Sequence, residues 1–146
     1  MWDFEEFEKD IEEFKSKELH DMITSGELGS THDSSKDGKL RLLNSINIDG
    51  RQYTILKHDT GNPHNDVYLI VRKYEPSLED DYTYEVVYHW WQKASPARYG
   101  GPLHKRARAY DPKPKYPDEI EQVIDRHNKE MAMLGGQTLP KGSRPR

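Results

Sequence analysis

A predicted β-hairpin decides the fold: residues 40–57 read LRLLNSINIDGRQYTILK. Apolar residues alternate on both sides of Asp49 and Gly50, and this dipeptide is typical of a two-residue hairpin turn. Such a turn pairs Ile48 with Arg51, Ile46 with Tyr53, Asn44 with Ile55 and Leu42 with Lys57. The apolar residues of both strands then share one face of the hairpin.

Two further strands and two helices extend the hairpin into a domain. Residues 67–74 and 82–91 predict a third and a fourth strand, and short connections favour an antiparallel meander. An aromatic stripe at helical spacing predicts a helix over residues 3–24; its first members are Trp2, Phe4, Phe7, Ile11 and Phe14. Pro117 begins a second helix that Gly135 and Gly136 end. The predicted fold is α+β, a two-layer sandwich of N-terminal helix, four-stranded meander and C-terminal helix, with both helices on one face.

Composition bounds the class of protein. The 146 residues contain no cysteine, which excludes disulfides, thiolate metal sites and a cysteine nucleophile. The longest apolar run, residues 67–71, is far shorter than the roughly 20 residues of a membrane span, and the acidic N-terminus is unlike a secretory leader. We therefore expect a cytoplasmic protein with no membrane partner. One domain over residues 1–136 is predicted, with a long loop at 92–116 and a flexible basic tail at 137–146.

Charge is distributed unevenly along the chain. The net charge is −8 over residues 1–38, −1 over 39–93 and +5 over 94–146, although the whole chain carries only −4. The stretch 98–115, here called the basic segment, holds one acid, Asp111, against six bases: Arg98, Lys105, Arg106, Arg108, Lys113 and Lys115. Tyr99, His104 and Tyr110 are interleaved with them, and Tyr116 follows.

This composition predicts a binding surface. Cations beside aromatic rings suit single-stranded nucleic acid, and cations alone suit an acidic protein surface, including the chain's own N-terminal helix. A sequence pI near 6.0 argues against a dedicated nucleic-acid binder. We expect residues 92–116 to be exposed, and we interpret the chain as a small non-enzymatic binding or assembly protein. The sequence leaves the oligomeric state undetermined.

An alternative interpretation is catalytic. Alternation along the predicted strands brings Glu85, His89, His58 and Arg72 to the sheet face opposite the helices. A carboxylate or histidine base, a histidine acid and a phosphate-binding arginine are what metal-independent RNA cleavage requires. A helix before a four-stranded antiparallel sheet also resembles, at the level of the fold alone, small microbial ribonucleases. The alternative function is therefore a metal-independent ribonuclease-like enzyme.

No cofactor is predicted. Residues 58–66 contain two histidines and two aspartates, but their spacing matches no metal motif and the remaining residues favour turns. The sequence also lacks a phosphate-binding glycine loop and a serine-elbow motif. The predicted metal and cofactor requirement is accordingly none.

Overall fold

The computed structural model describes residues 13–15, 17–33, 38–59, 66–73, 83–91, 97, 99 and 116–142. Trp2, Phe4, Phe7 and Ile11, which the sequence analysis assigns to a helix, lie outside these ranges.

Two helices and an antiparallel sheet form the described part of the chain, which confirms the α+β class. In chain order the elements are β1 (Glu13–Lys15), α1 (Lys17–Ser25), β2 (Thr31–Asp33), β3 (Lys39–Ile48), β4 (Arg51–Asp59), β5 (Val67–Lys73), β6 (Thr83–Trp91) and α2 (Pro117–Leu134). The strands lie in the order β1-β6-β5-β4-β3-β2, and every neighbouring pair is antiparallel. Neither of these helices is long and apolar enough to cross a membrane.

The prediction of one helix over residues 3–24 is wrong at residues 13–15 and confirmed over residues 17–24. Residues 13–15 are a strand, and α1 begins only at Lys17. The strand pairs with the start of β6, where Glu13 lies opposite Glu85, so its backbone groups satisfy a sheet edge. Residues 31–33, which were not predicted as a strand, form β2, and β2 pairs with the start of β3. Four strands were therefore too few, because both outer strands are only three residues long and carry no alternating pattern.

The hairpin has the predicted turn and most of the predicted register. Asp49 and Gly50 adopt left-handed φ values of 49° and 84°, as the two-residue turn requires. The pairs from Ile48–Arg51 to Asn44–Ile55 are confirmed. Beyond Asn44 a bulge at Leu43 shifts the register, so Leu42 lies opposite Leu56 and not opposite Lys57.

Each face of the sheet carries its own apolar core. The face that bears Ile55, here called the α2 face, packs Ile46, Ile48, Tyr53, Ile70 and Tyr88 against Ile120, Val123 and Ile124 of α2. The face that bears Leu56, the α1 face, packs Leu40, Leu42, Val67, Leu69 and Val71 against Leu19, Met22 and Ile23 of α1. The expectation of both helices on one face of a two-layer sandwich is therefore wrong. The central strands are apolar on both sides, so each side requires a helix to cover it.

The chain after α2 folds back onto the helix. Gly135, at a φ of 72°, caps α2 as predicted. Residues 137–142, here called the C-terminal tail, then dock: Leu139 is 2% exposed, and Asn128 bonds both its backbone N–H and its carbonyl. The predicted flexible tail is therefore held at Leu139, because a side-chain amide supplies the backbone partners that an extended segment otherwise finds in water. Residues 143–146 lie outside the described ranges.

A buried histidine connects α2, the β3 bulge and the tail. The Asn44 side chain accepts the Ser45 N–H, so its amide nitrogen faces His127 Nδ1 at 3.2 Å and Glu130 Oε2 at 2.6 Å. His127 Nδ1 then accepts, and its Nε2–H donates to the Gln137 carbonyl at 3.2 Å. Burial lowers the pKa of His127, although the Gln137 carbonyl and the Glu130 carboxylate act in the opposite direction. The folded protein therefore holds this imidazole neutral.

This geometry predicts a pH-dependent stability. Because the folded pKa of His127 lies below its ordinary value of 6.5, the unfolded chain binds the proton more readily, and the stabilisation present above pH 6.5 is lost as the pH falls below it. One proton limits the slope to about 1.4 kcal/mol per pH unit. We expect His127→Gln to reduce the fall in the free energy of unfolding between about pH 7 and 5, measured by urea denaturation. Parallel curves for the two proteins would contradict this account.

Candidate functional site

A buried ion pair joins β5 and β6 on the α2 face. Arg72 and Glu85 are cross-strand partners, with 3.8 Å between Arg72 Nε and Glu85 Oε1. Arg72 is 2% exposed and Glu85 is 7% exposed. A guanidinium so deeply buried requires partners around it, because an isolated charge in the interior is costly.

Two tyrosine rings complete the surroundings of Arg72. Its Nη1 donates to the Tyr53 hydroxyl at 3.2 Å, and its guanidinium carbon lies 3.7 Å from the centroid of the Tyr116 ring. Tyr116 is the residue before α2, and it adopts a left-handed φ of 57° with no side-chain cap. The stacked ring therefore connects the sheet to the point where α2 begins.

The same network reaches the surface through Glu119 in the first turn of α2. Its carboxylate accepts from Arg51 Nε at 2.8 Å and from the Tyr53 hydroxyl at 3.0 Å. Burial raises the pKa of Tyr53 to about 12, assisted by Glu119 and opposed by the hydrogen bond from Arg72. The pKa of Glu119 is lowered, since the hydrogen bonds from Arg51 and Tyr53 outweigh the effect of its own partial burial. At neutral pH the phenol donates, the carboxylate accepts, and the network holds α2 against β4.

The two candidate histidines lie on the other side of the sheet. His58 is the cross-strand partner of Val67, and His89 is the partner of Leu69; both partners belong to the α1-side core. The structure thus brings Arg72 and Glu85 together but separates them from His58 and His89. The expectation that all four share one open face is wrong, and each of the four is buried.

Strand irregularity explains this separation. Glu85 and His89 are four residues apart, so strict alternation places them on the same face. A bulge in β6 interrupts the alternation: Val71 pairs with Val86 and Ile70 pairs with Tyr88, which leaves Val87 as an extra residue. Val87 and Tyr88 consequently both enter the α2-side core.

The residues of β5 also face the opposite sides of the sheet from those predicted. Ile55 pairs with Ile70, and Leu56 pairs with Leu69, so the Val67-Leu69-Val71 set faces α1. The prediction had placed Arg72 on the same face of the sheet as His58, which requires the opposite facing for β5. The arginine and the carboxylate of the predicted set therefore lie on the opposite face of the sheet from both histidines.

Most of the basic segment lies outside the described residues. These are the predicted partner-binding positions Arg98, His104, Lys105, Arg106, Arg108, Tyr110, Lys113 and Lys115. Tyr99, which was predicted to be exposed, is 3% exposed: its ring meets Tyr88 edge-on at 6.3 Å, and its hydroxyl donates to Glu121 Oε1 at 3.4 Å. Ala97 is also buried. The expectation of an exposed loop is wrong at these two positions. Burying the large Tyr99 ring against Tyr88 and α2 removes more apolar surface from water than an exposed position would.

The contacts that fix the C-terminal tail were not predicted from the sequence. Asn128 reads as a solvent-facing helix residue, and nothing in its spacing indicates a bond to a segment eleven positions later. A single signal was present: Leu139 is an isolated apolar residue in a polar tail. Among the described residues, no group of three or more His, Asp or Glu side chains is placed to hold a metal ion.

No family model matches the sequence, and no curated protein or solved structure is similar enough to match it. The arrangement of the residues themselves therefore carries the functional argument.

The Arg72 network predicts a structural role for Glu85. We expect Glu85→Gln to lower the free energy of unfolding by about 3 kcal/mol, because it leaves a buried guanidinium without its countercharge. Urea denaturation measures the loss. Glu18→Gln is the matched control, since the Glu18 side chain is 87% exposed, and it should change stability by less than about 0.5 kcal/mol. A Glu85→Gln variant of unchanged stability that has lost an RNA-cleaving activity of the wild type would contradict this interpretation.

Proposed function

We propose that the chain is a non-enzymatic binding or assembly protein whose basic segment contacts an acidic surface of another protein. The first observation that supports this proposal is the local charge. Residues 98–115 hold six bases and one acid, in a chain whose net charge is −4. A strongly basic stretch in an acidic chain favours a specific anionic partner over general adhesion to polyanions.

The observation that carries the proposal is the engagement of the two tyrosines that flank most of these bases. Tyr99 is buried beside Tyr88, and Tyr116 is stacked on Arg72. Segment 100–115 is therefore tied to the fold at both ends, which limits the conformational entropy lost when it binds. Sixteen residues carrying Lys105, Arg106 and Arg108 lie between these anchors.

The same anchors favour a protein partner over single-stranded nucleic acid. Binding to unpaired bases combines phosphate contacts with stacking on free aromatic rings. Two of the three tyrosines that were candidates for stacking are engaged within the fold, and Tyr110 is the third. What the segment retains is positive charge, which suits carboxylates on a folded surface. The ribonuclease-like alternative is not favoured, because Arg72 and Glu85 lie across the sheet from the two histidines.

Charge reversal tests the proposal. We expect Lys105→Glu, Arg106→Glu and Arg108→Glu, introduced together, to weaken binding to a labelled polyglutamate peptide at least tenfold, or about 1.4 kcal/mol. The thermal midpoint should stay within a few degrees, because the proposal requires these charges to be available to a partner, and charges of that kind contribute little to folding. Fluorescence anisotropy measures the affinity, and the matched control reverses three exposed lysines elsewhere, Lys17, Lys39 and Lys129.

Two outcomes contradict the proposal. In one, the triple variant and its control bind polyglutamate equally, so that position along the chain is irrelevant. In the other, single-stranded polyuridylate binds the wild type more tightly than polyglutamate does. A log–log salt slope of about −0.7 per phosphate contact, measured between about 50 and 200 mM salt, would then identify a nucleic-acid surface.

A further inference from the structure

The docked C-terminal tail is held as an extended peptide ligand is held by a receptor. Asn128 bonds the backbone N–H and the carbonyl of Leu139, each at 2.7 Å. The Tyr88 hydroxyl donates to the Pro140 carbonyl at 2.6 Å. These bonds recognise backbone, so they fix an extended conformation without reading side chains.

Two side chains supply the selectivity that the backbone bonds lack. Leu139 inserts into the core between the sheet and α2, where it is 2% exposed. Lys141 forms an ion pair with Asp125 of α2 at 3.3 Å. This surface of Tyr88, Tyr99, Asp125 and Asn128, here called the groove, therefore selects an apolar residue. Its preference for a base two positions later is smaller, because both partners of the Lys141–Asp125 pair are more than half exposed. At the far end, Gly142 lies against the Tyr99 ring and leaves little room for a side chain.

The tail is joined to α2 by two glycines. Gly135 has a left-handed φ of 72°, and Gly136 donates its N–H to the Met131 carbonyl at 2.9 Å. These two glycines are the only residues between the end of α2, which forms one side of the groove, and the start of the tail that occupies it. A different conformation at these two positions would direct the same tail away from its own groove, at little cost in contacts within α2.

We propose that the groove also accepts the C-terminal tail of a second copy of this chain, so that two copies exchange tails and form a dimer. An identical tail makes identical contacts, which is why exchange of a terminal segment is a low-cost route to association. In its own chain the tail competes with an effective concentration on the order of millimolar for a short linker. The exchanged dimer of the wild-type chain, in which each tail must first leave its own groove, then has a dissociation constant of about millimolar. This proposal does not depend on the basic segment.

Complementary full-length variants test the exchange. Asn128→Ala disables the groove and keeps the tail, whereas Leu139→Asp disables the tail and keeps the groove. Each variant alone should sediment as a monomer at about 1 mM, whereas an equimolar mixture should contain a 1:1 dimer in which one intact tail occupies one intact groove. The matched control is the chain with both substitutions, which should not associate with the Asn128→Ala variant.

A second variant keeps the test decisive if Leu139→Asp does not fold. Gly135→Pro forbids the positive φ of the present turn, so its tail cannot return to its own groove by this path. Two such chains can exchange tails reciprocally, and we expect a dimer at least tenfold tighter than any self-association of the wild type. Adding Asn128→Ala to Gly135→Pro should abolish it. Folded variants that remain monomeric both in the complementary mixture and as Gly135→Pro would overturn the proposal.

Discussion

The buried guanidinium of Arg72 is the constraint on which the α2 face depends. Its charge is 2% exposed, so the fold must surround it with a countercharge, a hydroxyl and an aromatic face. Those groups come from three places: Glu85 on β6, Tyr53 on β4, and Tyr116 just before α2. One side chain thereby fixes the facing of three strands and the starting point of a helix. Arg72 also holds Tyr116, the residue that follows the basic segment.

Other contacts on that face join α2 to the hairpin. Glu119 and Arg51 extend the network to the end of the hairpin. Further along α2, Arg126 donates to the Asn47 carbonyl at 3.0 Å, and the Asn44 side chain accepts the Ser45 N–H. Both contacts occupy backbone groups of β3 beyond the stretch paired with β2, which protects that edge from pairing with a foreign strand.

Sequence reasoning succeeded where a strong local signal agreed with the tertiary contacts. The Asp49-Gly50 turn and the bounds of α2 at Pro117 and Gly135 are such signals, and both elements form as predicted. It failed at the facing of β5 and β6, because residues 67–71 are apolar throughout and give no alternation to choose between faces. The bulge at Val87 then placed His89 on the opposite face from the one predicted. No residue near Val87 indicates a β-bulge in the sequence.

The candidate site was harder to predict than the fold for a related reason. Arg72, Glu85, His58 and His89 have the chemistry of a catalytic set, but their grouping depended on the facing of strands that pattern alone leaves open. The anchors of the basic segment were missed because a tyrosine between cations has two uses, stacking on a ligand and packing into a core. Tyr99 is buried, so its ring packs into the core and is not free to stack on a ligand.

The most direct test of this account is a double-mutant cycle between Arg72 and Tyr116. Arg72→Met, Tyr116→Leu and the combined variant would be compared with the wild type by urea denaturation. A cation stacked on a ring and removed from water is worth about 2 kcal/mol, so the account predicts a coupling free energy of about 1 to 2 kcal/mol. Additivity of the two substitutions within about 0.3 kcal/mol would show that the sheet and the start of α2 are not joined through this contact, and would contradict the account.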